Sequence, residues 1–150
     1  MLRTAFLWIH VSCGALWIVV SLSFVLAAGA TAEHERASFA ARVAERFNRL
    51  NLIAIALLPL SGIANLGFVA REQHDRLPTA FVEVLAAKVA LLCAMAAALA
   101  MAWSVTGALA KDPSRGGAER HVPRLLWLYG AMALMGAVAL MLGVWLAGSA

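Results

Sequence analysis

Four long apolar runs separated by three polar segments set the pattern of the chain. The runs cover residues 5–30, 50–70, 81–110 and 125–150. The first of them contains no Asp, Glu, Lys or Arg. A helix needs roughly 20 apolar residues to cross the hydrocarbon core of a bilayer. The pattern therefore predicts an all-α membrane protein, in which four transmembrane helices form one bundle and a single domain.

The polar segment between the first two runs has a helical pattern of its own. Phe39, Val43 and Phe47 recur at intervals of four among the charged residues between Thr31 and Arg49. This spacing places the three apolar side chains on one face of a helix. We therefore expect a short amphipathic helix on the membrane surface in the first loop.

The composition fits a lipid environment and not a soluble core. The 150 residues are 63% hydrophobic and 13% charged, with a mean hydropathy of +0.85. A soluble domain is about 45–50% apolar and about 25% charged. The net charge of +4 does not indicate a nucleic-acid partner, because the basic residues lie in short loops beside the spans. The partner that the composition predicts is the bilayer itself.

The distribution of Lys and Arg predicts the orientation in the membrane. The first and third loops carry eight of these residues, whereas the second loop and the N-terminal tail carry three. Basic residues concentrate on the cytoplasmic side of a membrane protein. The pattern thus predicts a multi-pass protein of the bacterial inner (cytoplasmic) membrane, with both termini outside.

One ionisable residue, His10, lies inside the first span. At helical spacing it shares a stripe of small, polar and aromatic residues with Cys13, Trp17 and Ser21, whereas the flanks of the helix are apolar. An ionisable residue within a bilayer is by default a functional hypothesis. We expect this stripe to face the other helices and to place His10 and Trp17 beside a cofactor.

The predicted topology brings further polar side chains to the depth of His10. These are Asn65 on the second span, Lys88 on the third and Met141 on the fourth, with His74 in the loop above them. Imidazole is a common ligand of metals and of haem iron, and methionine binds haem iron or Cu(I). We therefore predict a metal site in which His10 is a ligand, with His74, Met141 or an open position as the second axial site, and with Asn65 and Lys88 around the cofactor. Haem b, copper and simple hydrogen bonding of His10 remain open.

Small residues mark the faces at which the helices are expected to approach closely. Ser61, Gly62 and Asn65 form a small, polar face on the second span. Gly136 and Gly143 lie seven residues apart, on one face of the fourth span. Such faces allow the backbones of membrane helices to come into contact.

Three motifs, in the same order and spacing, resemble the CopD-type copper-resistance membrane family and the related HemJ-type protoporphyrinogen oxidases. The motifs are Leu7-Trp8-Ile9-His10 with Ala15-Leu16-Trp17, then Arg49-Leu50 through Pro59 to Gly62-Ile63-Ala64-Asn65, and Ala87-Lys88-Val89-Ala90-Leu91. The resemblance implies a small helical membrane protein that handles haem b or copper near His10. The chain lacks the Arg and the Tyr-x-Tyr-His that HemJ-type enzymes carry after the first helix, which argues against porphyrinogen oxidation.

These observations favour a small membrane protein that binds haem b and takes part in electron transfer with a quinone or a periplasmic partner. If it is an enzyme, it would be an oxidoreductase. The alternatives are a copper-handling protein in which His10 acts with Met or Cys ligands, a HemJ-like oxidase, and a non-catalytic subunit of a larger membrane complex. A homo-oligomer is a further possible assembly.

Overall fold

The four apolar runs form four long helices. A computed structural model describes residues 1–72, 78–112 and 115–148. Its helices are α1 (Leu2–Ala30), α2 (Glu33–Glu72), α3 (Thr79–Lys111) and α4 (Arg115–Gly148). Each helix contains a segment long and apolar enough to cross a membrane, and the described ranges contain no strand. The predicted all-α architecture with four spans is confirmed.

Helix α2 begins earlier than the predicted second span. The amphipathic segment expected in the first loop is continuous with the span, because no Gly or Pro occurs between Glu33 and Leu58 to end a helix. Ala40 and Ala44 are fully buried. This part of α2 therefore packs within the bundle and does not form a separate surface helix.

The helices follow one another around the bundle. α1 packs against α2 and α4, and α3 packs against α4 and α2, so α1 and α3 lie diagonally opposite each other. Sequential helices are antiparallel, as the short connections require. The N-terminus, the end of α2, the start of α3 and the end of α4 therefore lie at one end of the bundle, which we call the terminal end. Thr31, Asp112 and Arg115 lie at the opposite end.

The apolar core occupies only part of the length of the bundle. The buried hydrophobic residues fall within 13–28 of α1, 40–54 of α2, 95–109 of α3 and 122–132 of α4. Among the described residues, no hydrophobic side chain is buried on the terminal side of Cys13, Met95 or Met132. The packing is therefore closest toward the opposite end, and it loosens in the half that contains His10.

A buried polar network ties three helices together within this core. The hydroxyl of Tyr129 donates to Oδ1 of Asn48 at 2.7 Å, and its oxygen also lies 3.2 Å from the carbonyl oxygen of Ala44. Nδ2 of Asn48 donates to the hydroxyl of Thr106 at 3.1 Å. Buried polar groups that find partners in this way fix the positions of the helices that carry them. This network was not predicted from the sequence.

The two predicted glycine positions of α4 do allow close approach, but to different helices. A Cβ atom on Gly136 would lie 2.9 Å from Cδ1 of Trp17, on α1. The indole of Trp17 also donates to the carbonyl of Met132 at 3.0 Å. Gly143 instead faces Lys88 on α3. One small-residue face thus accommodates both neighbours of α4.

Candidate functional site

The imidazole of His10 is held by helix α2. Nδ1 of His10 lies 3.1 Å from the carbonyl oxygen of Leu58 and 3.0 Å from the hydroxyl oxygen of Ser61. The Ser61 hydroxyl itself donates to the carbonyl of Leu57 at 2.8 Å. Ser61 is only 2% exposed, so water does not compete for these bonds. α2 therefore fixes the orientation of the ring.

These contacts favour the tautomer of His10 that carries the proton on Nδ1. The Leu58 carbonyl can only accept a hydrogen bond, so Nδ1 of His10 must donate. In the neutral imidazole, Nε2 then keeps its lone pair. Within the described part of the chain, Nε2 has no hydrogen-bond partner. A histidine whose second nitrogen donates to a backbone carbonyl is the form in which proteins commonly present His to a metal.

Gly62 makes room for the His10 ring. A Cβ atom on Gly62 would lie 3.3 Å from Cε1 and 3.7 Å from Nδ1 of His10. The small, polar face predicted on α2 is thus the surface against which His10 packs. Asn65 of the same face donates to the carbonyl of Phe6 at 3.5 Å and so contacts the backbone of α1 instead of His10.

Lys88 enters the same half of the bundle from the diagonal helix. Its Nζ lies beside Gly143, where an added Cβ atom would be 2.9 Å away. The side chain is half-buried and lies close enough to His10 for an electrostatic interaction. No described carboxylate forms an ion pair with it. A positive charge and the His10 imidazole therefore lie at the same end of the bundle.

The other predicted site residues lie elsewhere or outside the described residues. Trp17 is fully buried, and its indole N–H is already bonded to the backbone of α4. The side chain of Met141 is 69% exposed, two residues from Gly143 and hence on the other side of α4. His74 lies outside the described residues. The structure thus places His10 and Lys88 in the same half of the bundle, and it places Met141 on the exposed side of α4.

The described residues contain no ready-made cage for a metal ion. No group of three or more His, Cys, Asp or Glu side chains comes together among them. The buried thiol of Cys13 lies one turn from His10 on the same helix, where residues three apart are neighbours. Among the described residues, His10 and Cys13 therefore supply a nitrogen and a sulfur donor one helical turn apart in this half of the bundle.

Sequence reasoning did not identify the groups that orient His10. A backbone carbonyl such as that of Leu58 carries no sequence signal. Ser61 and Gly62 were expected to make close helix contact, but not with the imidazole. The available signal was the antiparallel pairing of the first two spans, which places Ser61 opposite His10.

These features define a class of protein: a multi-pass, four-helix membrane protein with a histidine presented between its spans. The sequence model of the copper resistance protein D (CopD) family matches residues 41–146. This segment covers most of the chain, and the protein belongs to that family. No curated protein and no solved structure matches the chain significantly.

The segment matched by the family model contains only some of the candidate site residues. The matched segment contains Ser61, Gly62 and Lys88, but it begins after His10. A role for His10 therefore depends on the geometry described above and on the resemblance of the first helix. The comparisons support the copper-resistance part of that resemblance, and they offer no support for its HemJ-type part.

Proposed function

We propose that this protein handles copper ions within the membrane and that Nε2 of His10 is a ligand of the passing ion. The observation that carries the proposal is the bond from Nδ1 of His10 to the Leu58 carbonyl at 3.1 Å, which leaves Nε2 as a free electron-pair donor. Copper accepts imidazole nitrogen in either oxidation state, and Cu(I) also accepts thiolate and thioether sulfur. Membership in the copper resistance protein D family supports the choice of metal.

The donor set favours transient binding of copper as cargo over permanent storage. His10 supplies one oriented nitrogen, Cys13 is the adjacent sulfur, and the described residues provide no cluster of three ligands. The Lys88 ammonium, which interacts electrostatically with His10, opposes any cation bound there. A site with few ligands and a nearby positive charge binds a cation weakly and releases it readily.

The direct test is copper binding by the purified full-length protein. Competition against a chromophoric Cu(I) chelator would measure the affinity of the parent and of His10→Ala. We expect His10→Ala to lower the affinity by at least tenfold, because the oriented ligand is lost. His34→Ala is the matched control, since the side chain of His34 is 81% exposed at the opposite end of the bundle. Equal Cu(I) affinity in His10→Ala and the parent would reject His10 as a ligand.

A copper-tolerance assay extends the test to the cell. Cells that express the parent and cells that express His10→Ala, at matched membrane levels, should differ in growth at elevated copper. Cells that express His34→Ala should grow like those with the parent. If all three strains grow alike while copper binding is lost in vitro, copper handling through His10 is wrong as a cellular function.

Haem b is the second candidate for the same nitrogen. The observation in its favour is Lys88, whose ammonium near His10 could pair with a haem propionate. His10 would then be an axial ligand, and bound haem would allow electron exchange with a quinone or a periplasmic partner. Of the two residues predicted as second axial ligands, Met141 lies on the exposed side of α4 and His74 lies outside the described residues. Purification with haem supplied distinguishes the candidates: a Soret band that His10→Ala loses would favour haem.

We further propose that the protein resides in a bacterial inner membrane with both termini outside. The asymmetry of the basic residues, eight against three, supports this orientation. The loosely packed half with His10 would then open toward the outer side of the membrane. Copper would reach Nε2 of His10 from that side.

A further inference from the structure

A surface groove runs between α3 and α4 toward the opposite end of the bundle, far from His10. Its volume is about 540 Å³. Its lining consists of Met101, Ser104, Val105, Pro123, Arg124, Trp127 and Leu128. The side chains of Met101 and Trp127 are 50% and 71% exposed. Since these helices span the membrane, the groove faces lipid.

The groove carries polar groups at one end and apolar groups along the rest. Ser104 lies sixteen residues beyond Lys88, and Trp127 lies sixteen residues before Gly143. Because Lys88 faces Gly143 and α3 is antiparallel to α4, Ser104 and Trp127 lie at the same level. Arg124 lies one turn nearer the end of the bundle. Met101 lies one turn deeper.

The polar groups of the groove are free to bind a ligand. In the part of the chain that the structure describes, the hydroxyl of Ser104, the indole N–H of Trp127 and the guanidinium of Arg124 have no hydrogen-bond or ion-pair partner. All three are donors, and one is positively charged. A ligand that fits this groove would have an anionic group, ester oxygens next to it and an attached hydrocarbon chain. These parts would match the charge, the donors and the apolar lining of the groove.

We propose that this groove binds an anionic phospholipid. The phosphate lies on Arg124, the ester oxygens lie at the level of Ser104 and Trp127, and an acyl chain covers Met101 and Leu128. Arginine forms paired hydrogen bonds with phosphate oxygens, and tryptophan favours the headgroup level of the bilayer. This site is separate from the proposed copper site and does not depend on it.

The test is lipid binding to the delipidated full-length protein in detergent. Phosphatidylglycerol and phosphatidylcholine are the probes, and native mass spectrometry measures their affinities. We expect phosphatidylglycerol to bind more tightly than phosphatidylcholine. Arg124→Gln should weaken phosphatidylglycerol binding about fivefold, which matches the roughly 1 kcal/mol of one basic residue near an anionic lipid surface.

Arg120→Gln is the matched control, because Arg120 is exposed one turn before Arg124 but does not line the groove. It should bind phosphatidylglycerol like the parent. Equal losses in the two variants would show a general charge effect and overturn the site. So would equal binding of the two lipids, which would leave only an apolar groove. If inorganic phosphate displaces phosphatidylglycerol completely, the groove binds a free anion and not a lipid.

Two further measurements distinguish a failure of the lipid site from a failure of the copper proposal. Trp127→Leu retains apolar area but removes the N–H group, and it should weaken phosphatidylglycerol binding in the same direction as Arg124→Gln. The Cu(I) affinity of Arg124→Gln should equal that of the parent. A failure of the lipid site would therefore appear in lipid binding alone, and a failure of the copper proposal in copper binding alone.

Discussion

The Nζ of Lys88 lies where a side chain on Gly143 would be, 2.9 Å from the position of an added Cβ atom. The absence of a side chain on α4 thus leaves room for a cationic group of α3 in the half of the bundle that contains His10. This relationship distinguishes Gly143 from Gly136, seven residues earlier. There the nearest atoms belong to the buried indole of Trp17 and to Ile18.

The two glycines should respond differently to alanine. Gly136→Ala places a methyl group 2.8 Å from Ile18 and 2.9 Å from Trp17, and these packed side chains cannot move freely. We expect a loss of about 1–3 kcal/mol in the free energy of unfolding. Gly143→Ala meets only the flexible end of Lys88, so the change should stay within about 0.5 kcal/mol.

Unfolding by a denaturing detergent measures both glycine effects. Gly130→Ala on the same helix is the control, because a Cβ atom there would have no other atom within 4 Å. This control should be neutral or slightly stabilised. A similar loss at Gly136 and Gly143 would contradict the packing described for α4.

Replacement of Lys88 should distinguish copper from haem b, because copper affinity is expected to rise whereas haem retention is expected to fall. Lys88→Met removes a positive charge that opposes a cation on His10, so Cu(I) affinity should rise. If haem b is the ligand, Lys88→Met instead removes a partner of its propionate, and haem retention should fall. Chelator competition and the Soret absorbance measure the two outcomes.

Lys111→Met is the control for Lys88→Met. Lys111 is exposed at the other end of α3, and its replacement should change neither copper affinity nor haem content. An unchanged affinity in Lys88→Met would show that Lys88 has no influence on the ion. The Lys88 side chain would then serve only to extend its ammonium group to the membrane interface.

The buried network of Tyr129 should contribute to stability and not to copper binding. Tyr129→Phe keeps the ring that stacks on Phe24 at a centroid distance of 4.0 Å. It removes the donor to Oδ1 of Asn48, which then remains buried without that bond. We expect a loss of about 1–3 kcal/mol in the free energy of unfolding.

The Cu(I) affinity of Tyr129→Phe should equal that of the parent, since His10 lies in the other half of the bundle. Thr106→Ser keeps a hydroxyl for Asn48 and should lose less stability than Tyr129→Phe. If Tyr129→Phe unfolds like the parent, the network does not hold the helices together.

The proposed orientation can be tested by cysteine labelling in intact cells. In a variant without Cys13 and Cys93, a cysteine at Thr4 should react with a membrane-impermeant maleimide. A cysteine at Lys111 should react only after lysis, because the third loop is predicted to be cytoplasmic. Labelling of Lys111→Cys in intact cells, with Thr4→Cys protected, would reverse the orientation.

The sequence predicts the spans well but the site only in part. Apolar run length determines that a helix crosses the bilayer, and the position of a residue within the run determines its depth, while loop charge predicts the orientation. Depth does not determine which way a side chain faces around the helix axis, which is why Met141 shares a predicted level with His10 and yet lies exposed. The contact of His10 with the Leu58 carbonyl and the pairing of Asn48 with Tyr129 depend on how each helix is rotated about its axis. The packing of the helices determines this rotation.

The uneven core has a consequence for the dynamics of the chain. Because the buried apolar residues end at Cys13, Met95 and Met132, the free energy of local opening should fall from one end of the bundle to the other. The helix ends around His10 can separate while the half around Tyr129 stays folded as one cooperative unit. Amide hydrogen exchange should therefore be faster in the first turns of α3 than near Thr106. An ion could enter and leave between the helix ends without unfolding the protein.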